Sequence, residues 1–182
     1  MRTRKQGDVM QAAKDSFFMA LRSRLAALNP ERVIAIDGQT VPGIVVRENM
    51  EPRFNEAHPE VFYLDWGEFL IAESSRPMLA MDCSIWYASE GTSGGTGVDR
   101  GRMLAQMDVE LLKICDPPHT ELADYSQTPS ADLGSGIFWT VPEIGRDPGD
   151  SPIAKQGWSA GTARVAHYAQ LKVYFFLPEV DA

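Results

Sequence analysis

Two hydrophobic periods divide the chain. Between residues 8 and 28, Val9, Ala13, Phe17, Leu21, Leu25 and Leu28 recur at spacings of three and four, with Ala12 and Ala20 beside them. That spacing puts them on one face of an amphipathic helix. Asp8 is placed to cap its start, and Asn29-Pro30 stops it, because the residue before a proline is pushed out of the helical region. A second helix is predicted from about Asp99 to Cys115. Its apolar stripe is Met103 or Leu104, Met107, Leu111 and Ile114, and Pro117-Pro118 ends it.

Elsewhere the period is two. The stretch from Ala163 to Leu177 (ARVAHYAQLKVYFFL) puts Val165, His167, Ala169, Leu171, Val173, Phe175 and Leu177 on one side. Arg164, Ala166, Tyr168, Gln170, Lys172, Tyr174 and Phe176 fall on the other. This is a strand with one face in a core, and it is long beside a typical strand of about 5–6 residues. A closing strand that projects with an open edge favours pairing with another subunit. MLAMDCSIWYAS (78–89) alternates in the same way, with Leu79, Met81, Cys83, Ile85 and Tyr87 sharing a face. VIAI (33–36) and VPGIVVRE (41–48) flank Asp37-Gly38, a strong hairpin signal because both turn positions need positive φ. Pro42 and Gly43 weaken the start of the second hairpin strand and point to an edge or a bulge. VFYLDWGEFLIAES (61–74) is β-rich but interrupted at Asp65-Trp66-Gly67.

The connections are polar. Residues 49–60, with Pro52 and Pro59, read as a loop, and GTSGGTG (91–97) reads as a connector. Six of the twelve prolines lie within 116–152 and six glycines within 134–161. Residues 116–161 are therefore predicted as a long loop arm, with IFWTV (137–141) as a short strand or anchor, since loops beyond about 12–15 residues are usually functional. Two helices and roughly five strands in one 182-residue domain predict an α+β fold. The expected form is a two-layer sandwich, a mostly antiparallel or mixed sheet against both helices.

Charge is unevenly spread. Residues 1–32 hold seven basic and three acidic groups, a net +4, so the other 150 residues carry −12 of the total −8. A sequence-reading nucleic-acid module has a basic body, and this chain does not. The basic segment reads as a solvated helix face or as a contact for an acidic partner. Cys83 and Cys115 form no CxxC pair, so they are expected as free thiols in a reducing compartment. The N-terminus lacks an apolar core of the secretory type, and no apolar run approaches the 18 or so residues that span a bilayer, so no membrane role is expected.

Candidate chemistry is sparse. The glycine run 91–97 sits between a strand and a helix, as phosphate loops do. Its last glycine is followed by Val98 and Asp99 rather than by Lys and Ser or Thr, so it reads as a connector. His58, His119 and His167 form no metal-binding pair with one another or with a cysteine, and no G-x-S-x-G elbow is present. Cys83 reads as inert packing. No catalytic residue, metal or cofactor is assigned. The aromatics carry more information: Trp139 and Trp158 fall in the predicted arm, where they either mark an interface or pin the arm to the core.

The order of elements resembles that of the tail terminator proteins of long-tailed bacteriophages, the lambda-like kind. An amphipathic helix (VMQAAKDSFFMALRSRLAAL) opens the chain and a short hairpin (VIAIDGQTVPGIVVRE) follows. A strand then leads through a loop into a second helix (MLAMDCSIWYAS, DRGRMLAQMDVELLKIC), and a long strand (ARVAHYAQLKVYFFL) closes. The longer arm 116–161 and the extra β segment at 61–73 depart from that pattern. The resemblance implies a structural virion protein of the tail and neck, made in the host cytoplasm. Such proteins form a homo-oligomeric ring, a hexamer, that caps the tail tube, ends its polymerisation and meets the head-side connector. Its partners would be copies of itself, the tube protein and the connector protein, with DNA only passing through the lumen. An acidic body suits DNA that must slide without sticking.

The residues expected at a subunit or partner interface are Arg22 and Arg24 in the basic segment, Trp139 and Trp158 in the arm, and Arg164, Tyr168, Lys172 and Tyr174 on the polar side of the closing strand. Two other readings stay open. One is a ligand-binding α+β domain with 116–161 as a lid. The other is an enzyme using scattered acids such as Asp65, Glu68 and Asp82.

Overall fold

The apolar stripe of the first helix is fully used. In the computed structural model, which describes residues 6–50, 58–73, 78–90, 98–146 and 165–176, α1 spans Gln6–Leu28. Val9, Ala12, Ala13, Phe17, Leu21 and Leu25 are buried. Asp8 is not the cap: it lies inside the first turn, where a carboxylate still faces the positive end of the helix dipole. Ser16 interrupts the apolar face but is also buried. Its hydroxyl accepts from the Ala123 N–H at 2.9 Å, so its burial is satisfied by strand backbone. The second helix, α2 (Val98–Ile114), buries Leu104, Met107, Leu111 and Ile114, as the periodicity predicts.

The hairpin forms as β1 (Val33–Ile36) and β2 (Gln39–Pro42), joined by Asp37 at φ 50° and Gly38 at φ 79°. That turn twists with the strands, and Gly38 adopts it without steric cost. The second strand divides at Pro42-Gly43. After the break, β3 (Ile44–Val46) leaves the hairpin and pairs parallel to β4 (Phe62–Glu73). β4 is continuous, and the interruption expected at Asp65-Trp66-Gly67 is a register shift against β5 (Met78–Ser89) between Trp66 and Phe69.

The region 116–161 departs most from expectation. Its first two-thirds is not a loop arm. It contains β6 (His119–Asp124), β7 (Ala131–Trp139) and β8 (Glu143–Arg146). Ile137 and Trp139 alternate into the core, and β6 adds Leu122. Pro117, Pro118, Pro129 and Pro142 lie between the elements, while Gly134 and Gly136 lie within β7 and Gly145 within β8, so composition concealed short strands. The closing strand, β9 (Val165–Phe176), is not an open edge either. All twelve of its residues pair with β5. On its other side β8 pairs with 167–170 and β7 with 173–175. The sheet order is β3-β4-β5-β9-β7-β6, with β8 beside β9, and every pairing except β3–β4 is antiparallel.

The fold is thus a two-layer α+β sandwich with a curled, mixed sheet. Inner-face residues of β5 (Leu79, Met81, Cys83, Ile85, Tyr87) and β9 (Ala169, Leu171, Val173, Phe175) meet both helices in one core. Phe17 stands edge-on to Trp66 (5.7 Å) and to Trp139 (5.0 Å) at its centre. A smaller cluster on the opposite face packs the hairpin (Ile34, with Ile36 and Val41) onto Val45, Val61 and Tyr63.

A buried ion pair ties the end of α1 to α2. The Arg32 guanidinium contacts the Glu110 carboxylate, and it also donates to the Glu60 carbonyl at 2.9 Å. Asn29 (2.8 Å) and Gln106 (2.9 Å) donate to the other Glu110 oxygen. Burial pushes the Glu110 carboxyl up, but the hydrogen bonds from Arg32, Gln106 and Asn29 and the Arg32 charge outweigh it and hold it below its ordinary 4.5. A carboxyl held low in the fold stabilises it above the unfolded pKa, and that contribution is lost as the pH falls through the folded pKa. Glu110→Ala strands the arginine and is expected to lower the unfolding free energy by about 3–5 kcal/mol at neutral pH, read by urea denaturation. The gap between wild type and variant should narrow on acidification below the carboxylate range. A gap that widens there contradicts the assignment.

Candidate functional site

Register builds the outer face of the sheet, the one turned away from both helices. Residues directly opposite in antiparallel strands share a face. Leu70 of β4 stands opposite Ala80 of β5, Ala80 opposite Tyr174 of β9, Tyr174 opposite Phe138 of β7, and Phe138 opposite His119 of β6. One row therefore crosses five strands. The Phe138 and Tyr174 rings stack at 5.1 Å and 12°, and Phe176 lies 6.4 Å from Phe138. Leu70 is 52% exposed and Phe138 37% exposed. The hairpin covers the β3–β4 end of this face, and among the described residues no helix covers the rest.

Adjacent rows are polar. Lys172 and Asp82 stand opposite each other with 3.0 Å between Nζ and Oδ1. The hydrogen bond to Asp82, and then its charge, raises the Lys172 pKa. Ser84, Gln170 and Glu143 form the next row. Beyond it the Trp86 and Tyr168 rings stack at 5.1 Å. Tyr168 lies over Gly145 so closely that a Cβ there would meet Cε1 at 3.1 Å, which is why that β8 position is a glycine.

The expected interface residues separate into three groups. Tyr168, Lys172 and Tyr174 do share this open face. Trp139 does not: it is 4% exposed, its indole N–H donates to the Cys115 carbonyl at 2.9 Å, and it packs the loop after α2 onto the core. Arg24 is also committed within the subunit. Its guanidinium donates to the carbonyls of Ile114, Pro117 and His119 at 2.8–2.9 Å and sits 5.3 Å from the Trp139 ring. It caps the negative end of α2. Arg22 is half-buried and lies 5.8 Å from the Phe18 ring of its own helix. Trp158 and Arg164 lie outside the described residues, as does the connector 91–97.

The scattered acids do not converge on a reaction centre. Asp65 pairs with Arg47 at 3.2 Å and Asp82 with Lys172, both on the outer face, and Glu68 is exposed beside the register shift. Among the described residues no three His, Cys, Asp or Glu side chains gather as a metal ion needs, and no helix is long and apolar enough to cross a membrane.

One cluster lay beyond sequence reasoning. Asp108 of α2 accepts from the Tyr87 hydroxyl at 2.6 Å and lies 2.9 Å from His167 Nδ1. These residues come from three elements far apart in the chain, and neither period nor motif links them. The cluster fastens α2 to β5 and β9 and gives His167 a partner at the rim of the core. Burial, the hydrogen bond to Asp108 and the Asp108 charge, in that order, push the Tyr87 phenol well above its ordinary value of 10. Burial likewise lifts both thiols, Cys115 to about 12, although Arg24 opposes it slightly there.

No protein-family model matches the chain, and no curated protein matches its sequence.

Three outcomes are expected. Trp139→Ala should destabilise by roughly 3–5 kcal/mol, whereas Phe138→Ser should stay within about 1 kcal/mol, both read by thermal or urea unfolding. Equal losses would remove the distinction between core and open face. In a spectrophotometric alkaline titration, Tyr87→Phe should remove absorbance only from the most alkaline part of the curve, because burial and Asp108 lift that phenol. Both cysteines should ignore a thiol reagent in the native protein and react on unfolding.

Proposed function

We propose that the chain is a structural subunit of a phage or phage-like tail, of the tail-terminator class. In this reading copies assemble into a closed ring, a hexamer, that caps the tail tube, ends its polymerisation and presents a surface to the head-side connector. The observation that carries the reading is the open sheet face, where the row runs from exposed Leu70 over buried Ala80 to the stacked, partly exposed rings of Tyr174 and Phe138. Exposed apolar surface rimmed by polar residues marks a protein contact, and aromatics are enriched at the centres of such contacts.

The element order that prompted the resemblance is present: a long opening helix, a hairpin, a strand leading to a second helix, and a long closing strand. The means of assembly differs from expectation. β9 and the first two-thirds of the supposed arm are consumed within the subunit, so a ring contact must use faces rather than a donated closing strand. A net charge of −8 is compatible with a lumen through which DNA slides without adhering. The role needs no catalytic residue, metal or cofactor. Of the segment read as a lid, 119–146 supplies the sheet strands β6, β7 and β8, and 147–161 lies outside the described residues.

Light-scattering mass measurement tests the assembly, and negative-stain imaging with isolated tail tubes tests the role. The expected result is a ring several times the 20.1 kDa subunit mass that decorates one end of the tube. Rings that ignore tube ends would overturn the terminator role, and a strict monomer with no tube binding would overturn the whole reading.

A further inference from the structure

The chain has a second exposed apolar surface, on its other layer. Along α2, Ala105, Val109 and Leu112 are spaced as one outward stripe. Val109 is 49% exposed and Leu112 41% exposed, while Leu104, Met107, Leu111 and Ile114 face the core. The two open surfaces therefore lie on opposite sides of a two-layer subunit, one on a helix and one on a sheet.

We infer that the α2 stripe of one copy docks on the open sheet face of the next, and that this helix-on-sheet contact repeats around the assembly. The inference rests on the ring reading and deepens it by naming both halves of the contact. A head-to-tail contact that closes needs two different, complementary surfaces on each copy. These surfaces match in architecture, since helix on sheet is the packing that already forms the subunit's own core. They also match in charge. Exposed Arg102 and Lys113 flank the α2 stripe, and the sheet face carries the exposed carboxylates Glu121 and Glu143 beside the Asp82–Lys172 pair. The symmetric alternative, α2 against α2 about a two-fold axis, turns the basic flanks of the two copies toward each other and is disfavoured by like charge. A second copy thus satisfies both faces at once.

Two variants test the contact, one damaged on each face: Val109→Asp with Leu112→Asp, and Phe138→Asp with Tyr174→Asp. Circular dichroism checks that each folds, and Phe138→Ser with Tyr174→Ser replaces the second pair if it does not. Each variant alone should be a monomer. An equimolar mixture should form a one-to-one dimer of twice 20.1 kDa and stop there, because it joins the one intact helix face to the one intact sheet face. A photo-crosslinking benzoyl-phenylalanine in place of Leu70 should attach to residues 105–113 of a second copy. A mixture that stays monomeric while wild type assembles overturns the pairing, as do variants that assemble like wild type, and both leave the ring reading standing. Crosslinks confined to the same chain, for example to residues 177–182, overturn the inference by giving the sheet face an internal occupant. A wild type that stays monomeric at high concentration overturns the inference and the ring reading together.

Discussion

The twelve-residue ladder between β5 and β9 is the constraint on which the molecule depends. It runs from Met78 opposite Phe176 to Ser89 opposite Val165 without a slip. Because strand side chains alternate strictly, one register assigns every residue of both strands to a face. A one-residue slip would carry Phe175, Val173 and Leu171 out of the core and turn Tyr174, Lys172 and Gln170 inward. The helices, the β4 hairpin partner and the β7 and β8 strands all take their positions from this central pair.

Both layers are anchored to it by polar contacts at the rim of the core. Asp108 reaches Tyr87 on β5 and His167 on β9, Glu110 holds Arg32 just before β1, and Arg24 gathers carbonyls at and after the end of α2. Each contact joins elements distant in sequence and leaves a charged or polar group satisfied where it is partly or fully desolvated. Such contacts contribute modest net stability when complete and cost far more when broken. They hold α2 at a set orientation over the inner face, which leaves its opposite stripe of Ala105, Val109 and Leu112 in water.

The proposed assembly depends on this asymmetry. A subunit with one apolar surface pairs with itself and stops. One with different apolar surfaces on opposite layers can be continued head to tail. The sheet row and the α2 stripe are modest in size and rimmed by charge, as suits contacts between folded subunits rather than the interior of a domain.

Much of this was legible in the chain. Periods of 3.6 and 2 identified both helices and the inward faces of 78–89 and 165–176, and the Asp37-Gly38 pair identified the hairpin turn, because these depend on local geometry and on which side of an element is apolar. Cys83 read as packing for the same reason. The partners of each strand were not legible. The 131–139 strand hides Ile137 and Trp139 behind exposed Gly134, Ser135 and Gly136, so its composition resembles a loop, and its pairing to β9 is made across more than thirty residues by backbone hydrogen bonds that carry no side-chain signature. That pairing turned the closing strand from an open edge into the interior of the sheet, and it moved Trp139 and Arg24 from a supposed interface into the subunit. Sequence pattern alone determined the two helices, the hairpin turn and the apolar faces of 78–89 and 165–176, since those are set residue by residue. Only the tertiary structure decided which faces remain uncovered, since coverage depends on which distant segments lie beside one another.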